Sequence, residues 1–161
     1  MSDHRLPVPA EAAHRLRDLI AVRDCAGCHG TASPGRPLCG GCRAVVAELR
    51  PVTADVPGVD AVAAGAYTGV LRECLLGFKE RHRRDLAEPL ARLLANALSA
   101  DPASGPVWLV PIPATRRALR QRGFDHVGLL CRRLARLLPD TGTAAVLRAR
   151  PRPDSTELNL A

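Results

Sequence analysis

Two groups of residues in this sequence have types and spacings that can do chemistry. The first is Cys25-Ala-Gly-Cys28 followed by Cys39-Gly-Gly-Cys42, a CxxC…CxxC pattern with ten residues between the pairs. Two residues between cysteines let both thiolates of one tight turn reach the same ion, and the glycines permit the backbone conformations that such a turn needs. Two such turns supply four sulfurs to one tetrahedral ion. That closed donor set suits structural zinc and leaves no position for a reacting water. A segment this short has little core of its own, so the metal would supply its folding energy. Disulfides and an iron–sulfur cluster would use the same residues and stay open as alternatives. His29 has a ligand's chemistry too, although an adjacent solvated histidine is the plainer reading. Cys74 and Cys131 fall on apolar helix faces and read as small core residues.

The second group lies in Val107–Asp125, VWLVPIPATRRALRQRGFD. A short apolar run ends in Pro111 and Pro113, after which Arg116, Arg117, Arg120 and Arg122 arrive in quick succession and Gly123 follows. Guanidinium groups are planar, always charged and matched to phosphate oxygens. The competing reading is a solvated basic helical turn over Thr115–Gln121, because charge runs usually face water.

The elements that must position these groups follow from periodicity and punctuation. Glu11–Val22 reads as a modest helix, and a second helical run passes through Val45, Val46 and Leu49. Pro51 ends that run, and PVTADVPG reads as a linker. Residues Val59–Tyr67 predict a strand. Val70, Leu71, Cys74, Leu75 and Phe78 then recur at helical spacing, as do Leu86, Leu90, Leu93, Leu94, Ala97 and Leu98 over Leu86–Leu98, with Pro89 in the first turn. DPASGP is a turn. Val107–Val110 predicts a strand that looks buried, Pro111–Phe124 a long loop, and Asp125 the N-cap of a helix to about Leu138. A short strand is expected around Ala144–Leu147. Strand, helix and strand at this spacing make a βαβ unit, so the fold class is α/β, a parallel sheet with covering helices. The expected division is an N-terminal helix and four-cysteine zinc-binding module over residues 1–57 and an α/β domain over 58–161. In open α/β sheets ligands bind beyond the carboxyl ends of the strands, which is where the arginine segment lies.

The 161 residues carry a formal charge of +7, which favours polyanionic partners or phosphorylated ligands. One Trp, one Tyr and two Phe are too few for a single-strand binder that stacks bases on aromatic platforms. MSDHRLPVPA lacks the apolar stretch of a secretory signal, and no segment approaches the length of a membrane span. Cytoplasmic location without membrane insertion is the expectation, and in that reducing compartment cysteines serve as ligands and core residues.

CAGC…LCGGC, AYTGVLRECLLGFKERHRRDLAEPLARLLA and VWLVPIPATRRALRQRGFDHVGLLCRRLARLL together resemble the ComF family. These are bacterial competence-associated proteins with an N-terminal zinc motif and a type I phosphoribosyltransferase-like domain. The resemblance covers the chain after about Leu16. Its most specific parts are the paired CxxC motifs, Tyr67-Thr-Gly69 with the Lys79 region, and VPIP…RGF; where the family continues RGFNQ, this chain has RGFDH.

The resemblance implies a zinc-ribbon-like module ahead of a partial phosphoribosyltransferase-like domain. It implies a pyrophosphate-contacting segment made of Pro111, Ile112, Pro113, Arg116, Arg120, Arg122 and Gly123, with phosphoribosyl pyrophosphate or another phosphate as ligand. It also implies that Arg148–Leu158 begins a flexible loop in which Asp154, Ser155 and Leu158 match a common variant. Magnesium would join only with a complete transferase site. Such sites use a later acidic pair to hold the ribose hydroxyls, and a Thr/Gly turn to cradle the 5-phosphate. No adjacent acidic pair occurs anywhere in this sequence and no such turn after residue 147; the chain stops within the expected flexible loop. The expectation is therefore a C-terminally truncated transferase that binds a diphosphate without turnover and assigns no catalytic residue. The alternative from another class is a zinc-containing adaptor in DNA uptake, binding DNA or competence proteins.

Overall fold

A computed structural model describes residues 24–99 and 105–149. The helix expected over Glu11–Val22, most of the DPASGP turn and the tail after Ala149 lie outside the described residues.

The first regular element is helix α1, Gly40–Glu48, capped by the Cys39 side chain, which accepts from the Cys42 N–H. Strands β1 (Val52–Val56) and β2 (Val59–Ala63) follow as an antiparallel hairpin, with Val52 opposite Ala63 and Val56 opposite Val59. The stretch expected to be a linker is thus a strand. Pro57 and Gly58 are the two loop residues between the paired valines, and Gly58 has φ +74°, the residue order that suits a type II turn. The strand expected to reach Tyr67 ends at Ala63.

Helices α2 (Gly69–Glu80) and α3 (Ala87–Ser99) match the periodic runs, joined by a 3-10 turn over Arg84–Leu86. Pro89 sits in the first turn of α3, where its missing N–H costs nothing.

Strand β3 is Val107–Leu109 and β4 is Thr141–Thr143; they pair in parallel, Val107 with Thr141 and Leu109 with Thr143. Between them lie α4 (Arg116–Arg122) and α5 (His126–Leu134). Four expectations are corrected here. The Pro111–Phe124 loop contains a helix, because Thr115 caps it (its hydroxyl accepts from the Ala118 N–H, 3.2 Å) and Gly123 closes it at φ +66°. Helix α5 stops at Leu134, where the ladder tightens to the three-residue bonds Arg136 N–H to Arg133 O and Leu137 N–H to Leu134 O. The second parallel strand begins at Thr141 rather than Ala144. Pairing cannot run farther along β3, since Pro111 and Pro113 have no N–H to give. The strand expected to be buried is not: Trp108 is 66% exposed, its ring lying over Gly142, where a Cβ would meet it at 2.7 Å.

The core is one cluster. Cys25, Ala26, Leu38, Cys42 and Val46 from the cysteine segment pack with Leu71, Cys74 and Phe78 of α2, and with Leu86, Leu90 and Leu93 at α3. Helix α5 lies along α3, adding Leu129 and Leu130 at the margin. The protein is therefore a mixed α/β structure with a four-cysteine cluster near its N-terminus and a small parallel sheet among helices. Among the described residues no helix is long and apolar enough to cross a membrane.

Candidate metal centre and arginine helix

The four predicted cysteines converge. Their Sγ atoms all lie within 4.8 Å of one another, and those of Cys28 and Cys39 are 3.8 Å apart. Four ligands at about 2.3 Å from a central ion, arranged as a tetrahedron, are separated by about 3.8 Å, so the donor set fits a metal of zinc's size and preference. Cys25 and Cys42 are buried, Cys39 is half-buried and Cys28 is exposed. All six cysteines, Cys74 and Cys131 included, are free thiols.

Local backbone builds the nest. Cys25 donates its N–H to Gly30 O at 2.7 Å, and Ala26 donates to Pro37 O at 2.9 Å, folding one CxxC turn onto the approach to the other. The Cys39 N–H then donates to Cys25 Sγ at 3.3 Å and the Cys42 N–H to Cys39 Sγ at 3.5 Å. Burial pushes the Cys25 thiol up, but N–H groups of Cys39, Cys28 and Gly27 outweigh it and bring its pKa down to about 6. Burial and the three neighbouring sulfurs drive Cys42 the other way. Without a cation, sulfurs so close cannot all be thiolates; a divalent ion removes that conflict. Gly27 is required by close approach, since a Cβ there would meet Cys42 Sγ at 2.9 Å and Val70 at 2.8 Å.

His29 is not in the cluster. Its Nε2 lies 3.3 Å from a carboxylate oxygen of Glu73, on α2, to which Arg72 (2.8 Å) and Arg81 (3.0 Å) also donate. Arg81 first and His29 second hold the Glu73 carboxyl below the usual carboxylate range. This group ties the first CxxC turn to α2. Cys74 is fully buried in the core, and burial pushes its thiol up to about 11; Cys131 is half-buried and raised for the same reason. Neither has the exposed, electropositive setting of a reactive thiol.

Sequence reasoning missed Arg83. It forks onto the Asp85 carboxylate (Nε to Oδ1 at 3.0 Å, Nη2 to Oδ2 at 2.8 Å) while Nη1 donates to Asp24 O at 3.0 Å and Nη2 reaches Pro37 O at 3.5 Å. One guanidinium thus fastens the α2–α3 connection to the backbone on both sides of the first cysteine turn. Its only sequence signal is its place in the run Arg81-His-Arg-Arg84, which does not set it apart from its neighbours.

That same connection grips the arginine helix. Arg84 donates to Gly123 O at 2.6 Å, with its guanidinium 4.8 Å above the Phe124 ring, and His82 Nε2 lies 3.0 Å from Gln121 O. Phe124 meets Phe78 edge-on at 5.6 Å. Asp125 is the N-cap expected, its Oδ1 accepting from the Gly128 N–H at 3.0 Å. His126 lies partly buried against Phe78, its pKa lowered by burial and then by the charge of Arg122.

The predicted site residues therefore divide. Pro111, Ile112 and Pro113 leave the carboxyl end of β3, and Gly123 is a helix cap. Arg116 and Arg120 are one turn apart on α4, so they share a face, and with Arg117 they are exposed without an ion-pair partner among the described residues. Arg122 is turned well away from that face. It is only 20% exposed and lies 3.5 Å from Glu80, which Lys79 also approaches at 3.5 Å. The chain matches no family model, no curated protein and no solved structure.

Proposed function

We propose that the chain is a zinc-stabilised protein of the phosphoribosyltransferase-like ComF type, with a zinc-ribbon-like module that braces a diphosphate-binding strand end. Zinc is the ion the four sulfurs suit, and its place is structural, because a set of four thiolates keeps no open coordination position. Cys25, Cys28, Cys39 and Cys42 would hold it; bound, it supplies charge neutralisation and cross-linking rather than reactivity.

The observation that carries the ligand half of the reading is the parallel β3–α4–α5–β4 unit. Its first strand runs out through Pro111–Pro113 into a capped helix bearing two same-face arginines, Arg116 and Arg120, that have no ion-pair partner among the described residues. The carboxyl end of a parallel strand is where such sheets bind ligands, and forked guanidiniums are suited to diphosphate oxygens. Arg122, engaged with Glu80, has a positioning part in this scheme. Phosphoribosyl pyrophosphate is the ligand the resemblance names, with binding as the activity proposed.

Calorimetric titration of the metal-loaded protein with phosphoribosyl pyrophosphate and with inorganic pyrophosphate, each with magnesium, tests the reading. Saturable binding weakened at least about tenfold in Arg116→Ala/Arg120→Ala supports it. Absence of binding at millimolar ligand, or binding indifferent to that double substitution, overturns it.

A second reading rests on the +7 charge and on the exposure of Arg116, Arg117 and Arg120: contact with a nucleic-acid backbone in DNA uptake. It requires retention of DNA at low salt that falls steeply as salt is added, and retention unchanged by salt, or none at low salt, removes it.

A further inference from the structure

One concavity is lined by none of the four cysteines and by no residue of α4. It is a cleft of about 340 Å³ between the cysteine segment and α3. Buried Leu38, Val46 and Leu93 form its apolar floor, and Arg36, Arg43 and Arg92 stand around it. Arg92 is already paired with Glu88 one turn back on α3, at 2.8 Å. Arg36 and Arg43 are exposed and have no ion-pair partner among the described residues. The cleft thus combines an unfilled apolar volume with two uncompensated positive charges at its edge.

We propose that this cleft is a binding site for a small amphipathic anion: a compact hydrocarbon body seated on Leu38, Val46 and Leu93, and a carboxylate or phosphate head held by Arg36 and Arg43. The volume lies at the lower end of the range in which small-molecule sites occur, and the pattern of apolar walls with few convergent polar groups is the usual one. A neutral apolar guest would leave both guanidiniums unused. A polar anion without a hydrocarbon body would leave the floor wet. Glu88 does not oppose the anion, because Arg92 offsets its charge.

Occupancy has a structural consequence for the metal module. Leu38 immediately precedes the ligand Cys39, and Val46 lies one turn beyond the ligand Cys42 on α1. A guest bridging these residues to Leu93 braces the second CxxC turn against α3.

Octanoate, octyl phosphate and neutral octanol, titrated into the metal-loaded protein by calorimetry, test the site. The expected result is saturable one-to-one binding of at least one anion at or below roughly 1 mM, with octanol about tenfold weaker or undetectable. The tighter of the two anions identifies the headgroup. In Arg36→Ser/Arg43→Ser, both exposed positions, anion affinity falls about tenfold or more while metal content is unchanged. Ala47→Trp, which fills the cleft from its rim, abolishes binding; should it also lose metal, the arginine pair alone decides. Octanol bound as tightly as both anions, no saturable anion binding, or an arginine variant that binds like the parent would each overturn the proposal.

Discussion

Replacing Gly27 by alanine adds one methyl group against a sulfur of the candidate metal centre. An ideal Cβ there stands 2.9 Å from Cys42 Sγ, 3.2 Å from Cys42 Cβ and 2.8 Å from Val70 Cγ1. Carbon and sulfur need roughly 3.5 Å or more, so the sulfur must retreat by more than half an ångström. Val70 can turn its side chain away. Cys42 cannot, because its Sγ must keep its metal distance to within about 0.2 Å while α1 fixes its backbone. Overpacking of this kind costs about 1–3 kcal/mol, and if the strain falls on the coordinated state it lowers metal affinity by roughly 5- to 150-fold. The assay is competition for zinc against a chromophoric chelator, read beside the thermal midpoint of the loaded protein. Gly30→Ala is the control. Its Cβ would meet only Cys28 Sγ at 3.5 Å, an ordinary contact, so zinc affinity should stay within about twofold of the parent. A Gly27→Ala protein that holds zinc as tightly as the Gly30→Ala control would refute the argument. The sulfurs would then not be held where the structure puts them.

Arg83→Ala removes the fork to Asp85 and the side-chain donor to the Asp24 carbonyl, while the Pro37 carbonyl keeps only the Ala26 N–H. The substitution should cost roughly 2–3 kcal/mol in denaturant unfolding and raise hydrogen exchange around the first cysteine turn. Chelation of the metal should loosen residues 25–50 and lower overall stability together, because Cys25 and Cys42 belong to the common core; exchange confined to the cysteine turns would contradict this. The folded-state pKa of Glu73 is depressed, so its contribution is present in full above the ordinary value of 4.5 and is lost as pH falls through the lowered one. Glu73→Gln should flatten the acid limb of the pH–stability curve, and an unaltered limb would exclude the pairing of Glu73 with Arg81 and His29. Asp125→Ala should destabilise by about 1 kcal/mol through loss of the α5 cap, with Asp125→Asn recovering most of it in thermal melts.

What could be read from the sequence was local. The CxxC spacing announces its geometry within each turn, and the four sulfurs meet as that spacing demands. Helices α2 and α3 declare themselves through leucines at helical spacing, and Asp125 by standing before such a run. The hairpin was harder. Val-Thr-Ala-Asp-Val does alternate, but Pro51 and Pro57 at its ends look like interruptions until Gly58 is recognised as the second half of a turn. Helix α4 was legible only as the competing reading, a basic helical turn over Thr115–Gln121, although Thr115 and Gly123 mark its ends. The role of Arg83 was not legible at all. Arg81, Arg83 and Arg84 are chemically identical, and only the packing of α2 against the cysteine segment sends them to Glu73, to Asp85 and the Asp24 and Pro37 carbonyls, and to Gly123. The exposure of β3 is likewise a property of the assembled sheet, which no short apolar run reveals.

The placement of two of the four sulfurs inside the hydrophobic cluster has an outcome for how long the molecule survives in a cell. In the zinc-loaded form proposed above, an oxidant reaching the exposed Cys28 sulfur would couple it to Cys39, its neighbour at 3.8 Å, and so remove two of the ion's four ligands. The loss would then reach Leu71, Phe78 and Leu86, which share the buried cluster with Cys25 and Cys42, instead of stopping at a peripheral finger. Scarcity of zinc and oxidative stress would thus be felt as turnover of the entire polypeptide.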